Sequence, residues 1–164
     1  MSVTIIILII LNVAFFWFAY SKGKHAEGLA VAKDLFIEII PVLILALVLA
    51  GMLRAVIPTE FIAKWIGKEA GIKGIFIGAI AGGFLPGGPI IAMPVVVTFI
   101  ELGATIPVIV AMITGWSLFA FHRIPIELGI LGPKITLIRL ASVFVLAPMA
   151  GLIAKVIVKI FKIG

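Results

Sequence analysis

The amino-acid sequence predicts an all-α integral membrane protein with four or five transmembrane helices, one of them discontinuous or re-entrant at residues 86–89. Three observations carry this. Of the 164 residues, 64% are hydrophobic and 12% charged, and the mean hydropathy is +1.41. No soluble domain of this size needs so apolar a chain. Several apolar stretches approach or pass the roughly 18 residues that mark a membrane-spanning helix. The stretch 74–100, GIFIGAIAGGFLPGGPIIAMPVVVTFI, is interrupted at its centre by Gly82-Gly83, by Pro86-Gly87-Gly88-Pro89 and then by Pro94.

The elements follow in order as one transmembrane domain, residues 1–164. The first membrane segment, 4–20, ends in Phe15-Phe16-Trp17-Phe18-Ala19-Tyr20, an aromatic belt suited to a helix leaving the bilayer. Residues 21–34 read as a polar connection with Lys22, Lys24 and Lys33. The second segment, 35–53, carries Glu38 and Pro41 near its start and stops at Arg54. Residues 58–70 predict an interfacial amphipathic helix, with Phe61, Ile62, Trp65 and Ile66 on one face and Lys64 and Lys68 on the other. The third segment, 74–100, is the broken one. Proline lacks a backbone N–H and glycine favours non-helical backbone, so an unbroken helix is not expected there. Each flank would run about 18 Å as helix against a hydrocarbon core of about 30 Å. Irregular backbone at membrane depth survives only where protein buries it or where it lines a watery cavity. In transporters, paired half-helices with an unwound middle bind substrates and ions. Gly74, Gly78 and Gly82 at four-residue spacing make a smooth packing face. The fourth segment, 104–121, holds Thr114-Gly115-Trp116-Ser117, a loop follows over 122–134, and the fifth segment, 135–161, has Arg139 near one end and Lys155, Lys159 and Lys162 at the other.

Composition also excludes classes. There is no cysteine, so disulfides, thiolate metal sites and cysteine catalysis fall away. The net charge of +6 comes from basic residues at the ends of apolar segments, where they snorkel to headgroups rather than bind nucleic acid. The amino terminus lacks a basic flank and a small-residue cleavage site, so a retained first helix is expected rather than a signal peptide. No metalloprotease His pair, nucleophile elbow, intramembrane aspartate pair or nucleotide-binding signature is present. The sequence therefore predicts no enzyme, no cofactor and no metal. If all five segments cross, Lys22, Lys24, Lys33, Lys155, Lys159 and Lys162 share one side, and Arg54, Lys64, Lys68, Lys73, Arg123 and Lys134 the other. This leaves no positive-inside bias. Treating segment 74–100 as a re-entrant hairpin moves the carboxy terminus across and leaves the balance nearly unchanged. The balance reads either as a count that includes buried residues, which do not vote, or as insertion in both orientations and pairing with an inverted copy.

The Pro-Gly-Gly-Pro break after a Gly-x-x-x-Gly helix, followed by Trp116-Ser117 and the run from His122-Arg123-Ile124-Pro125-Ile126-Glu127 to Pro133-Lys134-Ile135-Thr136-Leu137-Ile138-Arg139-Leu140, resembles the predicted permease family that includes organoarsenical efflux permeases. The resemblance covers about residues 35–154. It implies that the chain corresponds to one half of a full-length, two-half member and that it acts in transport in a broad sense. Many full-length members carry cysteines where this chain has Gly87 and Gly88, so the resemblance does not extend to a soft-metal thiolate site.

The candidate substrate-binding residues are Pro86, Gly87, Gly88 and Pro89 at the break, with Met93, Thr114, Trp116 and Ser117 facing it. The break reads either as a kink for packing or as backbone offered to a solute. Met93 serves packing or soft contact, and Trp116 cavity lining or interface anchoring. Glu38 and Arg139 each lie about one turn inside a segment, as coupling carboxylate and counter-charge or as snorkelling ends. His122 and Arg123 with Glu127 form a local polar cluster, either a proton relay or a salt-bridged loop. Glu101 is expected to cap the broken element. The function these residues predict is a permease moving a small molecule or ion across a prokaryotic cell membrane. It would work as a homodimer or larger assembly of half-size units, parallel or inverted, with the lipid bilayer as its other partner. The alternative is a non-transporting structural or assembly subunit of a larger complex, in which the break would be packed dry.

Overall fold

The computed structural model of the chain describes residues 2–85 and 87–162, so Pro86 of the expected site lies outside the described residues. The described residues form α-helices and short 3-10 turns and contain no strand. They divide into two compact units, Met1–Val42 and Leu43–Gly164.

The first unit comprises α1 (Ser2–Ser21) and the start of α2 (His25–Val56). Gly23 at φ 69° turns the chain between them, a left-handed conformation suited to glycine after a helix end. His25 packs on Tyr20 and Phe16, with ring centroids 5.0 and 6.3 Å apart. Trp17 is 76% exposed, and large apolar side chains are exposed all round α1. Such a helix suits a lipid environment. The polar connection expected over 21–34 is mostly helix. Ala26, Ala30 and Ala32 favour it, and Glu27 in the first turn complements the helix dipole.

The second unit is built around α4 (Gly71–Gly83) and α6 (Ile106–Leu118), each 13 residues long, or about 20 Å. They run parallel. A Cβ on Gly78 would meet Val108, and one on Gly82 would strike the Met112 carbonyl oxygen. Gly115 approaches α4 in the same way, because a Cβ there would strike the Ala79 carbonyl. Ala79–Gly82 and Met112–Gly115 therefore face each other reciprocally, and the absence of side chains lets the two backbones touch. α7 (Ile124–Phe161) runs back along this pair. A Cβ on its Gly151 would lie 2.8 Å from Ala111 Cβ and 2.8 Å from the Pro107 carbonyl oxygen. Ile75, Ala79, Val108, Met112, Phe119 and Ala147 fill the core between these helices.

α3 (Thr59–Trp65) and the turn Lys68–Ala70 replace the continuous amphipathic helix expected over 58–70. Gly67 separates them, and Ile62 and Ile66 enter the core while Phe61 and Trp65 remain exposed. The four apolar residues thus divide between core and surface instead of sharing one interfacial face. α5 (Pro89–Glu101) leaves the break with a proline in its first turn, a position that requires no N–H donor. Its buried Thr98 hydroxyl donates to the carbonyls of Ala50 in α2 (3.3 Å) and Pro94 (3.1 Å). Glu101 does not cap α5. It pairs with Arg54 at 2.6 Å, and with side chains 60% and 44% exposed this pair is worth less than about 1 kcal/mol.

The broken segment 74–100 returns to the end from which it starts. Gly71 at the start of α4, Gly103 just after α5, Thr105 before α6 and Lys155 near the end of α7 line one cavity. Lys68 lies in that cavity as well, which fits the re-entrant alternative for segment 74–100 and not the all-crossing one that put Lys68 and Lys155 on opposite sides. The loop expected over 122–134 is also helical. Pro125 sits in the first turn of α7, and the interruption falls at Gly132, with φ 79° and ψ 166°. Pro133 drives it, because proline keeps the preceding residue out of the α region. The helix His25–Val56 and the stretch Ile106–Phe161, which comprises α6 and α7, each contain a window apolar enough to cross a membrane, and these windows are only 11% and 22% buried.

Candidate functional site

Because α4 and α6 are parallel and of equal length, their carboxy-terminal ends lie side by side. Each helix is interrupted there: α4 ends at Gly83 and α5 begins at Pro89, while α6 ends at Leu118 and the 3-10 turn Phe121–Arg123 precedes α7. The two breaks meet. Phe84 and Phe121 pack edge to face with ring centroids 4.7 Å apart, and Phe121 stacks on Phe119 at 5.6 Å. Trp116 Nε1 donates a 3.2 Å hydrogen bond to the Gly87 carbonyl. A Cβ on Gly83 would lie 2.8 to 3.1 Å from the Phe121 and Phe119 side chains, so the aromatic pair needs a glycine there.

The first break depends on Gly87, at φ 67°. Gly88 has extended backbone, φ −82° and ψ −176°, and its carbonyl accepts from Ile91 and Ala92 at the start of α5. The second break contains Ala120 at φ 41° and ψ 57°, a left-handed conformation that costs a residue with a side chain about 1–2 kcal/mol. Ala120 is 2% exposed, and packing holds it there. Gly87→Ala is expected to destabilise the fold by about 1–2 kcal/mol for the same reason. Gly88→Ala adds a methyl to open space and should cost less than about 0.5 kcal/mol. Thermal unfolding in detergent micelles compares the two, and equal losses would show that the positive φ of Gly87 is not the constraint.

Arg139 organises the second break. Its Nε donates to Glu127 Oε2 at 2.8 Å, a second guanidinium nitrogen lies 2.8 Å from the same oxygen, and Nη1 donates to the Leu118 carbonyl at 2.7 Å. The cation thus sits on the carboxy-terminal carbonyls of α6, where the helix dipole favours positive charge. It also ties both sides of the Gly132 interruption to α6.

The structure brings Gly87 and Trp116 into hydrogen-bond contact, with Gly88 and Pro89 next to Gly87 in the chain. Thr114 is partly buried, and its hydroxyl donates to the Val110 carbonyl of its own helix at 2.8 Å. Met93 is partly buried and Ser117 exposed. The polar cluster is arranged differently from the expectation: Glu127 pairs with Arg139 rather than with His122 and Arg123, which are exposed. Glu38 is exposed on α2 within the first unit. Sequence reasoning missed Phe84, Phe119 and Phe121. Phe84 could have been found from its place between Gly83 and Pro86, but nothing marks the left-handed turn of the second break, because Ala120 is neither glycine nor proline.

These features define a class: an all-helical protein with two stretches apolar enough to span a membrane and a pair of interrupted helices meeting at their breaks. The chain is 30% identical over 149 residues to the UPF0718 protein MJ0584 of Methanocaldococcus jannaschii, a match covering 87% of the chain and 38% of that protein. It therefore spans less than half the length of the curated relative it resembles. No family model matches the chain, and no solved structure does.

Proposed function

We propose that the chain is a half-size membrane permease unit, two or more copies of which move a small solute past the paired breaks across a prokaryotic cell membrane. The observation that carries this reading is the Trp116–Gly87 hydrogen bond, which places the irregular backbone of one interrupted helix against the end of another. Unwound segments of this kind present backbone N–H and C=O groups to a solute. The resemblance to a predicted permease family and the match to a UPF0718 protein more than twice as long support it. Assembly as a homo-oligomer supplies the helices that one unit lacks for enclosing a path. The solute is neither an arsenical nor another soft metal held by thiolates, because Gly87 and Gly88 stand where such ligands would be and the chain has no cysteine. With no nucleotide signature, transport draws on an ion gradient or on the gradient of the solute itself, and Glu38 is the carboxylate proposed for coupling.

The test uses Gly88→Cys, the sole thiol in the chain. In proteoliposomes, a membrane-impermeant thiol reagent should label it, and labelling should change when the reagent is moved from one side to the other. A cysteine that stays unlabelled from both sides would mean that the aromatic residues pack the break dry. The non-transporting subunit would then be the correct reading.

A further inference from the structure

At the end of the second unit away from the breaks lies a cavity of about 430 Å³. Lys68, from the turn before α4, and Lys155, from the last turns of α7, both line it, joined by Thr105 at the start of α6. Neither lysine has a carboxylate within ion-pair distance among the described residues. An adjoining hollow does contain Glu60 and Glu69 near Lys68. Ile106 and Val158 on the wall of the lysine cavity also line a second hollow of about 430 Å³, and this one is wholly apolar. It runs between α6 and α7 past Val110, Ile153 and Ile157. Two cationic groups from distant parts of the chain therefore stand at the mouth of an apolar groove that continues along the helices.

We propose that this composite site holds an anionic phospholipid. Its phosphate lies between Lys68 and Lys155, and one acyl chain lies in the α6–α7 groove. The charge complementarity and the continuity of the two hollows argue for this occupant. A free anion leaves the apolar groove unused, and a neutral lipid leaves two ammonium groups uncompensated. Basic pockets between helices at a membrane face select anionic headgroups, each lysine contributing about fivefold in affinity. The site stands apart from the breaks and does not depend on what passes them.

The experiment is native mass spectrometry of the full chain released from mixed bilayers of phosphatidylglycerol and phosphatidylcholine. Phosphatidylglycerol should be retained preferentially. The Lys68→Gln/Lys155→Gln variant should lose at least about tenfold of that retention, and Lys68→Arg/Lys155→Arg should keep most of it. Ala150→Phe, which fills the apolar groove, should reduce retention with both lysines in place. Equal retention of the two lipids by the unmodified chain would overturn the proposal, and this comparison requires no variant to fold. Displacement of the lipid by millimolar inorganic phosphate, with Ala150→Phe without effect, would overturn it in favour of a free-anion site.

Discussion

Gly82→Val and Gly115→Val should each destabilise the protein by about 3 kcal/mol or more, the largest losses expected from single substitutions outside the breaks. A Cβ at either position lands on a carbonyl oxygen of the facing helix, Met112 for Gly82 and Ala79 for Gly115. Nothing at these contacts can rotate away, because the obstacle is backbone rather than the tip of a side chain. The two helices must separate, and the interdigitated core of Ile75, Val108 and Met112 opens with them. Overpacking in a core costs about 1–3 kcal/mol even where side chains can adjust, and backbone collision lies at or beyond that limit. Separation would also break the Trp116–Gly87 hydrogen bond, so the transport proposed above should fall together with stability. Gly51→Ala is the control, since a Cβ there meets nothing within 4 Å. Unfolding in mixed micelles reads all three variants. A Gly82→Val protein as stable as Gly51→Ala would mean that α4 and α6 do not pack backbone to backbone.

Arg139→Met should cost about 2–3 kcal/mol, and Glu127→Leu a similar amount. Arg139 is 29% and Glu127 19% exposed by side chain, so the pair is only partly screened by solvent. Hydrogen bonds to charged groups contribute about 1.5–3 kcal/mol. Removing Arg139 leaves both the Glu127 carboxylate and the Leu118 carbonyl without their partner. Removing Glu127 leaves a half-buried cation with only the carbonyl. The double variant should be more stable than the sum of the two losses predicts, because neither charge is then left alone. Strictly additive losses in this cycle would show that the two residues act separately and that the second break is held by its aromatic residues. Arg139→Lys should recover little, since a single ammonium cannot reach a carboxylate and a carbonyl with the geometry of a planar guanidinium.

The first break was legible because glycine and proline announce it in any context. Gly87 occupies a left-handed position and Pro89 the first turn of α5, both of which follow from local chemistry. The end of the fourth segment near residue 121 was legible from the polar His122-Arg123 that follows it, but the conformation of the second break was not. Ala120 is left-handed because Phe119 and Phe121 pack around it, and no local signal records a conformation imposed by neighbours. The polar stretch after α1 was misread for a related reason: alanine and lysine are polar or small enough to suggest a connection, yet they also favour helix. Arg139 and Glu127 were both singled out, but as members of different clusters. The interruption at Gly132 lets the chain fold back and unite them.

By itself the sequence determined the helical class, the apolar surfaces suited to a membrane, the absence of thiol chemistry and the place of the first break. All of these depend on properties of single residues or on periodicities within one helix. Only the tertiary structure decided that α4 and α6 run parallel, that the broken segment turns back, that two breaks meet and that Lys68 and Lys155 share a cavity. The physical reason is that these outcomes depend on which glycine faces which carbonyl. That choice is made by close packing between segments distant in sequence, where losing one side chain lets two backbones touch.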